Sequence, residues 1–400
     1  MKKSKSIFDP KSKIIANVDR IVEFVETGNT PPILIEVDPS NACNHACSFC
    51  LSSYIHFDKY KGTETFSRVL MPRDMLMSLC REFVDMDVRA VNWTGGGEPT
   101  LNQHLKEAIQ YCGIHGIKMG MFTNGTLFDK YDMFEILVDY MTWVRISVDC
   151  GTEETYNSVR IPKGEANWNK MLSNMTKLID VNKSKGNKLD IGVGFVISPD
   201  TYHEIIDFAN TFKDMDLKYC QYKPEIIIRE EGGQQRDIEF WEDQVQPLLD
   251  KAKKILGDKF QVNGYKFEDL AKDRRNFGRD YKKCLGSQVS PCIGADGHVY
   301  VCTNHRGWKE YSYGSLYDGK SFKEIWNDIN NRKRIMNQIE NIECFGNCTK
   351  LCKPHESNKA VWEIWQNMSN MDDNGKKSYI QSLLKKKEKT LPDIIHPEFI

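Results

Sequence analysis

Two kinds of apolar segment alternate along the chain, and this alternation constrains the fold more than any other feature. Short runs rich in β-branched and other apolar residues alternate with stretches whose apolar residues recur at helical spacing. The short runs cover residues 33–37, 88–93, 117–123, 143–148, 191–197 and 219–228. Strands that alternate with helices predict a parallel sheet with crossover helices. We therefore predict an α/β fold, a partial (β/α)6 TIM-like barrel, whose functional groups collect at the carboxyl ends of the strands.

The remaining segments of the 400-residue chain flank this barrel. Apolar positions at helical spacing predict a helix between residues 11 and 26, and a second cluster of cysteines marks the last third of the chain. The predicted organisation is an N-terminal helix at 1–30, the barrel at 31–235, a helical linker at 236–281, a small cysteine-rich domain at 282–356 and a helical tail at 357–400.

Charge and hydropathy exclude several classes of partner. The chain has 55 Lys and Arg against 56 Asp and Glu, a net charge of −1, so no bulk basic field attracts nucleic acid or an anionic membrane. The positively charged N-terminus is not followed by the apolar stretch of a signal peptide, and no apolar run is long enough to span a bilayer. We expect a cytoplasmic protein that binds neither nucleic acid nor membrane.

Three cysteines directly after the first predicted strand form the sharpest motif. Cys43, Cys47 and Cys50 have the spacing CxxxCxxC. Three thiolates so close together can bind three irons of a 4Fe-4S cluster, which leaves the fourth iron open to a ligand that is not protein. A structural zinc site is the alternative for this spacing taken alone.

The next motif in the chain agrees with a cluster site. Residues 95–99 read GGGEP and follow the second predicted strand. Together with the three cysteines, this segment resembles the radical S-adenosylmethionine (radical SAM) superfamily. The resemblance implies that the cysteines hold the cluster, that Gly96 and Gly97 allow close approach of the backbone, and that Glu98 accepts hydrogen bonds from the methionyl ammonium of the cofactor. It also places Phe49 near the adenine.

Polar residues after the third and fourth predicted strands complete the implied cofactor site. Asn124, and then Ser147 and Asp149, resemble the ribose-binding positions of the family, and Arg160 matches the arginine that meets the cofactor carboxylate. Capping or turn roles are the alternative for the first three residues, and a salt bridge is the alternative for Arg160.

The C-terminal cysteines resemble the auxiliary-cluster domains called SPASM and twitch. Residues 291–302 read as a β-hairpin that turns at Asp296-Gly297. The resemblance implies one auxiliary 4Fe-4S cluster and favours the shorter twitch type, although a second cluster is possible if five or six cysteines bind, and a zinc site is the other alternative. The expected ligands are Cys284, Cys302, Cys348 and Cys352, with Cys344 and Cys292 as substitutes.

The resemblance implies an enzyme that reductively cleaves S-adenosylmethionine to a 5'-deoxyadenosyl radical and abstracts hydrogen from a substrate. Peptide-modifying members often carry an N-terminal recognition domain of ~80 residues, whereas only 42 residues precede Cys43 here. We therefore expect a small polar substrate, such as a sugar, aminocyclitol or nucleotide, that is oxidised or epimerised. Radical modification of a peptide or protein is the alternative, and an iron-sulfur or zinc binding module is the non-enzymatic one. A low-potential electron donor such as flavodoxin or ferredoxin is implied.

Residues near strand ends are the candidates for substrate chemistry. Tyr222, Lys223 and Glu225, on the sixth predicted strand, are candidate general bases for a dehydrogenation. Cys150 and Cys220 are candidate hydrogen donors for an epimerisation. The alternatives are a solvated strand end for the charged residues and a buried core position for the cysteines.

Overall fold

One sheet of ten strands organises the part of the chain that the computed structural model describes, namely residues 9–52, 69–225, 239–262, 281–340 and 352–400. The strands are Leu34–Val37 (β1), Ala90–Trp93 (β2), Lys118–Thr123 (β3), Trp143–Ser147 (β4), Asp190–Ile197 (β5), Tyr219–Pro224 (β6), Phe260–Val262 (β7), Cys292–Ile293 (β8), His298–Tyr300 (β9) and Ser312–Ser315 (β10).

The sheet runs in the order β10-β9-β8-β1-β2-β3-β4-β5-β6-β7. Strands β1 to β7 are parallel neighbours in chain order, which confirms the predicted partial barrel and adds β7 to the six predicted strands. Strand β8 of the cysteine-rich segment pairs in parallel with β1, so this segment continues the barrel sheet. The predicted hairpin is also confirmed, because β8 and β9 are antiparallel and Gly297 at the turn has a φ of 76°.

Helices follow the strands as crossover connections and cover one face of the sheet. They are Pro10–Ala16 (α1), Val18–Thr27 (α2), Arg73–Asp85 (α3), Leu105–Ile114 (α4), Phe134–Tyr140 (α5), Glu153–Arg160 (α6), Trp168–Ser184 (α7), Ile205–Phe212 (α8), Gln246–Leu256 (α9), Phe322–Asn327 (α10), Ile329–Glu340 (α11), His355–Ser369 (α12) and Asp373–Thr390 (α13). A π-helical turn, Phe240–Val245, precedes α9.

The N-terminal helical segment departs from the prediction. The periodicity between residues 11 and 26 predicts one helix, whereas the structure has two, α1 and α2, which meet at Asn17. The backbone of Asn17 is not helical, and its side-chain amide donates hydrogen bonds to the carbonyl oxygens of Lys13 (2.8 Å) and Pro397 (2.7 Å). The break therefore ties the start of the chain to its last residues.

Among the described residues, this arrangement forms two large apolar cores and a small third cluster of Leu34, Ala90, Trp143 and Phe399. The larger core lies between the sheet and its crossover helices and includes Phe195, Phe208 and Tyr222. A second core joins α1 and α2 to α12 and α13. The segments predicted as separate ends of the chain, 1–30 and 357–400, therefore contribute to one helical layer.

Candidate cofactor site

The loop with the three cysteines lies beyond the carboxyl end of β1 and is fastened to the end of α6. The backbone N–H of Ala46 donates to the carbonyl oxygen of Arg160 (3.1 Å), and that of Ser48 donates to the carbonyl oxygen of Val159 (2.9 Å). The His45 ring contacts the carbonyl oxygen of Ala166 (2.9 Å). These bonds hold the loop over the open end of the barrel.

The three cysteine side chains are neighbours, and each is partly exposed. Burial raises the pKa of Cys43 to about 12, and the neighbouring carboxylate of Glu98 adds to the shift. Burial likewise raises the pKa of Cys50 to about 11, with a further contribution from Cys47. Three mutually neighbouring thiols that remain protonated without a cation are a donor set that iron can deprotonate and bind, so these residues fit an iron-sulfur cluster.

Gly97 and Glu98 join the loop after β2 to the cysteine loop. The backbone N–H of Glu98 donates to the carbonyl oxygen of Ala42 (2.8 Å). A Cβ atom at Gly97 would lie 2.0 Å from that same oxygen, so only glycine fits against the cysteine loop. Gly97 therefore brings the GGGEP segment against the backbone of the cysteine loop, while the close approach of Gly96 and Gly97 to the cofactor stays a prediction.

The Glu98 carboxylate is almost completely buried and already accepts hydrogen bonds from the protein. One oxygen accepts from the Thr100 hydroxyl (2.6 Å), the Thr100 backbone N–H (3.1 Å) and the Thr123 hydroxyl (2.6 Å), and the other accepts from the backbone N–H of Asn124 (2.7 Å). Burial raises the pKa of Glu98, and these hydrogen bonds oppose the shift. Glu98 thus joins the loops that follow β2 and β3.

Asp149 and Arg160 form a buried ion pair at the end of β4. The second Asp149 oxygen accepts from the backbone N–H of Val196 on β5 (2.8 Å), and Nε of Arg160 donates to Nδ1 of His45 (3.2 Å). The pair therefore links the end of β4 to the cysteine loop. Asn124 makes a similar link, since its amide donates to the Asn44 side chain (2.7 Å).

A cavity of about 440 Å³ runs from the cysteine loop into the barrel. Of the residues predicted from the sequence, it is lined by Cys47, Phe49, Cys50, Ser147, Asp149, Arg160 and Lys223. Cys43, Gly96, Gly97, Glu98, Asn124 and Glu225 are not among its lining residues. The floor is formed by the C-terminal residues Phe399 and Ile400, which lie against Lys13 of α1.

Three residues predicted to act on the substrate, Tyr222, Cys220 and Cys150, are not among the residues that line the cavity. Tyr222 and Cys220 are buried between the sheet and its helices, where the Tyr222 hydroxyl donates to the carbonyl oxygen of Ile205 (3.0 Å). Neighbouring residues on a strand point to opposite faces, so Gln221 and Lys223 line the cavity instead. Cys150 is also part of the apolar core, and its thiol donates to the carbonyl oxygen of Val148 (3.5 Å).

Several polar residues on the inner face of the barrel belong to none of the sequence motifs. Glu36 on β1, Asn92 on β2, Arg145 on β4 and Gln221 on β6 all line the cavity. Their only signal in the sequence is a polar residue at an inward position of an otherwise apolar strand, and that position can be recognised once the strand register is known.

The cysteine-rich segment is connected to the barrel through Arg306. Its guanidinium pairs with the buried Asp38, which follows β1, and donates to the Ser52 hydroxyl (3.2 Å) and the Gly95 carbonyl oxygen (3.3 Å). Burial raises the pKa of Asp38 to about 7, although the charge of Arg306 opposes the shift. This side chain joins the loops after β1 and β2 to the segment after β9.

Four of the predicted auxiliary-cluster ligands are described. Cys292 is fully buried in β8, and burial raises the pKa of its thiol. Cys284, Cys302 and Cys352 are partly exposed, while Cys344 and Cys348 lie outside the described residues. Across the described ranges, the three cysteines after β1 included, no three His, Cys, Asp or Glu side chains form a group that could hold one metal ion. The ligand set of an auxiliary cluster therefore stays a prediction.

Comparisons with known proteins identify the family. A model of the radical SAM superfamily matches residues 37–209. Mycofactocin maturase MftC of Mycolicibacterium smegmatis is 24% identical over 319 residues, which are 77% of this chain and 74% of the relative. Among solved structures, Streptococcus suis SuiB bound to precursor peptide SuiA has a TM-score of 0.58 at 16% identity, over 84% of this chain and 73% of SuiB. The structure of anSMEcpe with bound AdoMet and Kp18Cys peptide has a TM-score of 0.55 at 18% identity, over 90% of this chain and 99% of anSMEcpe.

Residues 37–209 carry a radical SAM domain, and the chain is an enzyme. Its cofactors are accordingly a 4Fe-4S cluster and S-adenosylmethionine, and it requires a reductant. In the part of the chain that the structure describes, no helix is long and apolar enough to cross a membrane.

Proposed function

We propose that this enzyme modifies a peptide or protein by radical chemistry. The named relatives support a peptide substrate, because one is a mycofactocin maturase and SuiB and anSMEcpe were each crystallised with a peptide. This proposal takes the place of the expected sugar, aminocyclitol or nucleotide substrate, whose argument rested on the short segment before Cys43. The modification would be a crosslink, an epimerisation or an oxidation of a side chain.

The cavity is the observation that carries this proposal. It joins Cys47 and Cys50 to the polar interior of the barrel, and its wall includes Thr303, Asn304 and Arg306 of the cysteine-rich segment. A side chain inserted from a peptide would therefore contact both the cofactor end of the barrel and the C-terminal segment. Such enclosure positions a substrate C–H bond and excludes water.

The residues of the site would have different roles in this reaction. Cys43, Cys47 and Cys50 would hold the cluster, and Arg160 and Glu98 would keep the surrounding loops in place. When bound, the cofactors supply a 5'-deoxyadenosyl radical that abstracts hydrogen from the substrate. Lys223, which lines the cavity, is the remaining candidate for moving a proton on the substrate. We further propose an auxiliary cluster on Cys284, Cys302, Cys348 and Cys352, and flavodoxin or ferredoxin as the electron donor.

The test measures 5'-deoxyadenosine and the mass of candidate substrates. The protein is reconstituted with iron and sulfide without oxygen, reduced with dithionite and supplied with S-adenosylmethionine. Peptides encoded by short reading frames next to the gene form one arm, and a pool of sugars, aminocyclitols and nucleotides forms the other. We expect a peptide to accelerate 5'-deoxyadenosine formation and to change in mass.

Two outcomes would contradict the proposal. A mass change confined to the small-molecule arm would return the substrate to the sugar-like class. Absence of 5'-deoxyadenosine from fully iron-loaded protein would instead favour an iron-sulfur or zinc binding module. A Cys47→Ala variant, which lacks one cluster ligand, controls for cleavage of S-adenosylmethionine by free iron and dithionite.

A further inference from the structure

Inside the barrel, one carboxylate and one side-chain amide each have an oxygen atom without a hydrogen-bond partner in the protein. Glu36 and Asn92 are paired across β1 and β2 and are only 4% and 3% exposed. The Asn92 amide donates to one Glu36 carboxylate oxygen (2.9 Å). The second Glu36 oxygen, Oε2, and the Asn92 oxygen, Oδ1, are buried without a hydrogen-bond partner. Buried acceptors of this kind are normally satisfied, so they indicate a ligand that donates hydrogen bonds.

Arg145 on β4 also lines the cavity, and its guanidinium is a hydrogen-bond donor. Its side chain passes over Gly194, and Nη1 donates to the Gln221 side chain on β6. The guanidinium carbon lies 4.1 Å from the ring centre of Phe122, which fixes the plane of the group. Its Nε is buried and has no hydrogen-bond partner.

Several cations line the cavity, among them Lys13, Lys223 and Arg145. Three other cations of the lining have carboxylate partners, namely Arg160 with Asp149, Arg306 with Asp38 and Lys353 with Glu36. Within the described ranges, Arg145 has no ion-pair partner. Burial lowers the pKa of Arg145, but a guanidinium remains protonated in proteins, so a positive charge stays exposed to the cavity. Asp149 and Glu36 attract this charge from beyond ion-pair distance, so the guanidinium still lacks a direct anionic partner.

We infer that Arg145 binds a carboxylate of the substrate, and that Glu36 and Asn92 accept hydrogen bonds from N–H groups of the same molecule. An acidic residue of a peptide offers both features, since it carries a carboxylate beside backbone amides, whereas a neutral sugar offers no charge for the guanidinium. The inference rests on the proposed function and narrows its substrate to peptides with an aspartate or glutamate at or beside the modified residue. A C-terminal carboxylate has the same chemistry, and the experiment separates the two sources.

The position of Arg145 in the barrel distinguishes the proposed substrate carboxylate from the carboxylate of the cofactor. Arg145 precedes Ser147 by two residues on β4, which places it about 7 Å deeper in the barrel. The buried pair of Asp149 and Arg160 lies at the strand end, next to the cysteine loop. Arg145 therefore faces the part of the cavity beyond the cofactor end, where a substrate group would lie.

The experiment measures retention of peptide pools by the cluster-loaded enzyme with S-adenosylmethionine, using ultrafiltration and mass spectrometry. One pool of short random peptides carries a central glutamate and a second carries glutamine, both acetylated and amidated at their ends. A third pool has glutamine and a free C-terminal carboxylate. Glucuronate and glucose form a separate pair. The test variant is Arg145→Gln. Its matched control is Arg81→Gln, which removes one positive charge from an exposed residue of α3.

We expect the unmodified enzyme and Arg81→Gln to retain the glutamate pool about tenfold better than the glutamine pool, because charge-assisted hydrogen bonds are the strong ones. Arg145→Gln should abolish that preference while S-adenosylmethionine affinity, measured by equilibrium dialysis, stays unchanged. If the enzyme retains the third pool better than the second, and Arg145→Gln loses this preference, the bound carboxylate is that of a peptide C-terminus.

The remaining outcomes separate this inference from the proposed function. Peptides retained without any preference for carboxylate would overturn the inference and leave the peptide proposal standing. Loss of S-adenosylmethionine affinity in Arg145→Gln would also overturn it, because Arg145 would then serve the cofactor. If only glucuronate is retained, and Arg145→Gln abolishes this, the proposed peptide function fails and the acidic-peptide assignment fails with it.

Discussion

Replacement of Gly97 by alanine is the most direct test of how the cofactor site is assembled. The new Cβ atom would lie 2.0 Å from the carbonyl oxygen of Ala42 and 2.5 Å from its carbon, whereas real Cβ contacts are essentially never under 3.0 Å. The loops after β1 and β2 must therefore move apart until this contact lengthens from 2.0 Å to at least 3.0 Å. That shift also stretches the 2.8 Å hydrogen bond from Glu98 to Ala42.

The expected cost follows from these two contacts. Overpacking of a well-packed site costs about 1–3 kcal/mol, and the weakened backbone hydrogen bond adds about 1 kcal/mol. We expect Gly97→Ala to lower the free energy of unfolding by ~2–4 kcal/mol in total. Because Ala42 adjoins Cys43, the displaced loop should also bind less iron and form less 5'-deoxyadenosine.

Urea unfolding of the iron-loaded protein, iron content and 5'-deoxyadenosine formation measure these effects. Gly28→Ala is the matched control, because Gly28 has a φ of 76° but no atom within 4 Å of a Cβ. It should cost about 1 kcal/mol through backbone strain alone and leave the iron content unchanged. A Gly97→Ala protein with the iron content and unfolding midpoint of the unmodified enzyme would refute the proposed contact between the two loops.

Three further changes test other parts of the structure. Cys47→Ser should remove the iron of one cluster and abolish 5'-deoxyadenosine formation, as measured by iron analysis and visible absorption. Asp149→Asn should lower the free energy of unfolding by about 3–5 kcal/mol, because it leaves the buried Arg160 charge unpaired. Burial lowers the pKa of Lys13 from 10.5 to about 8, so the folded state holds fewer protons between these values. Stability should therefore rise by about 3 kcal/mol from pH 8 to 10.5, and Lys13→Met should remove the rise.

Each of these changes has its own control and its own contradicting result. Cys220→Ala removes a thiol outside the cavity and should leave the iron content unchanged, so equal iron loss in both cysteine variants would argue against specific ligation by Cys47. Asp132→Asn changes an exposed carboxylate and should cost below about 1 kcal/mol; a similar cost for Asp149→Asn would mean that the buried pair contributes little. If Lys13→Met keeps the pH dependence of the unmodified enzyme, Lys13 is not its source.

Local sequence patterns were sufficient for the elements of the barrel. The run at 33–37 became β1, Leu34–Val37, and the run at 117–123 became β3, Lys118–Thr123. The cysteine loop was also recognisable, because its three thiols are close in the chain and need no distant contact to come together. Periodicity and a contiguous motif are local properties, so they can be read without knowledge of the fold.

The inner face of the barrel could not be derived in the same way. Tyr222 and Gln221 are neighbours on β6, yet the first lies in the apolar core and the second lines the cavity. The register of parallel strands decides this, since a shift of one residue exchanges the two faces. Position on the sixth predicted strand therefore suggested Tyr222 and Cys220, while the structure brings Arg145 and Gln221 together across β5.

The sequence by itself determined the order of the first six strands and the cysteine loop, because each depends on residues close together in the chain, and the resemblance of its motifs to a known family implied the class of chemistry. Tertiary structure alone decided which polar side chains face the cavity and that Arg306 reaches Asp38 from the far end of the chain. Those contacts depend on strand register and on packing between distant segments, and no local pattern records either of them.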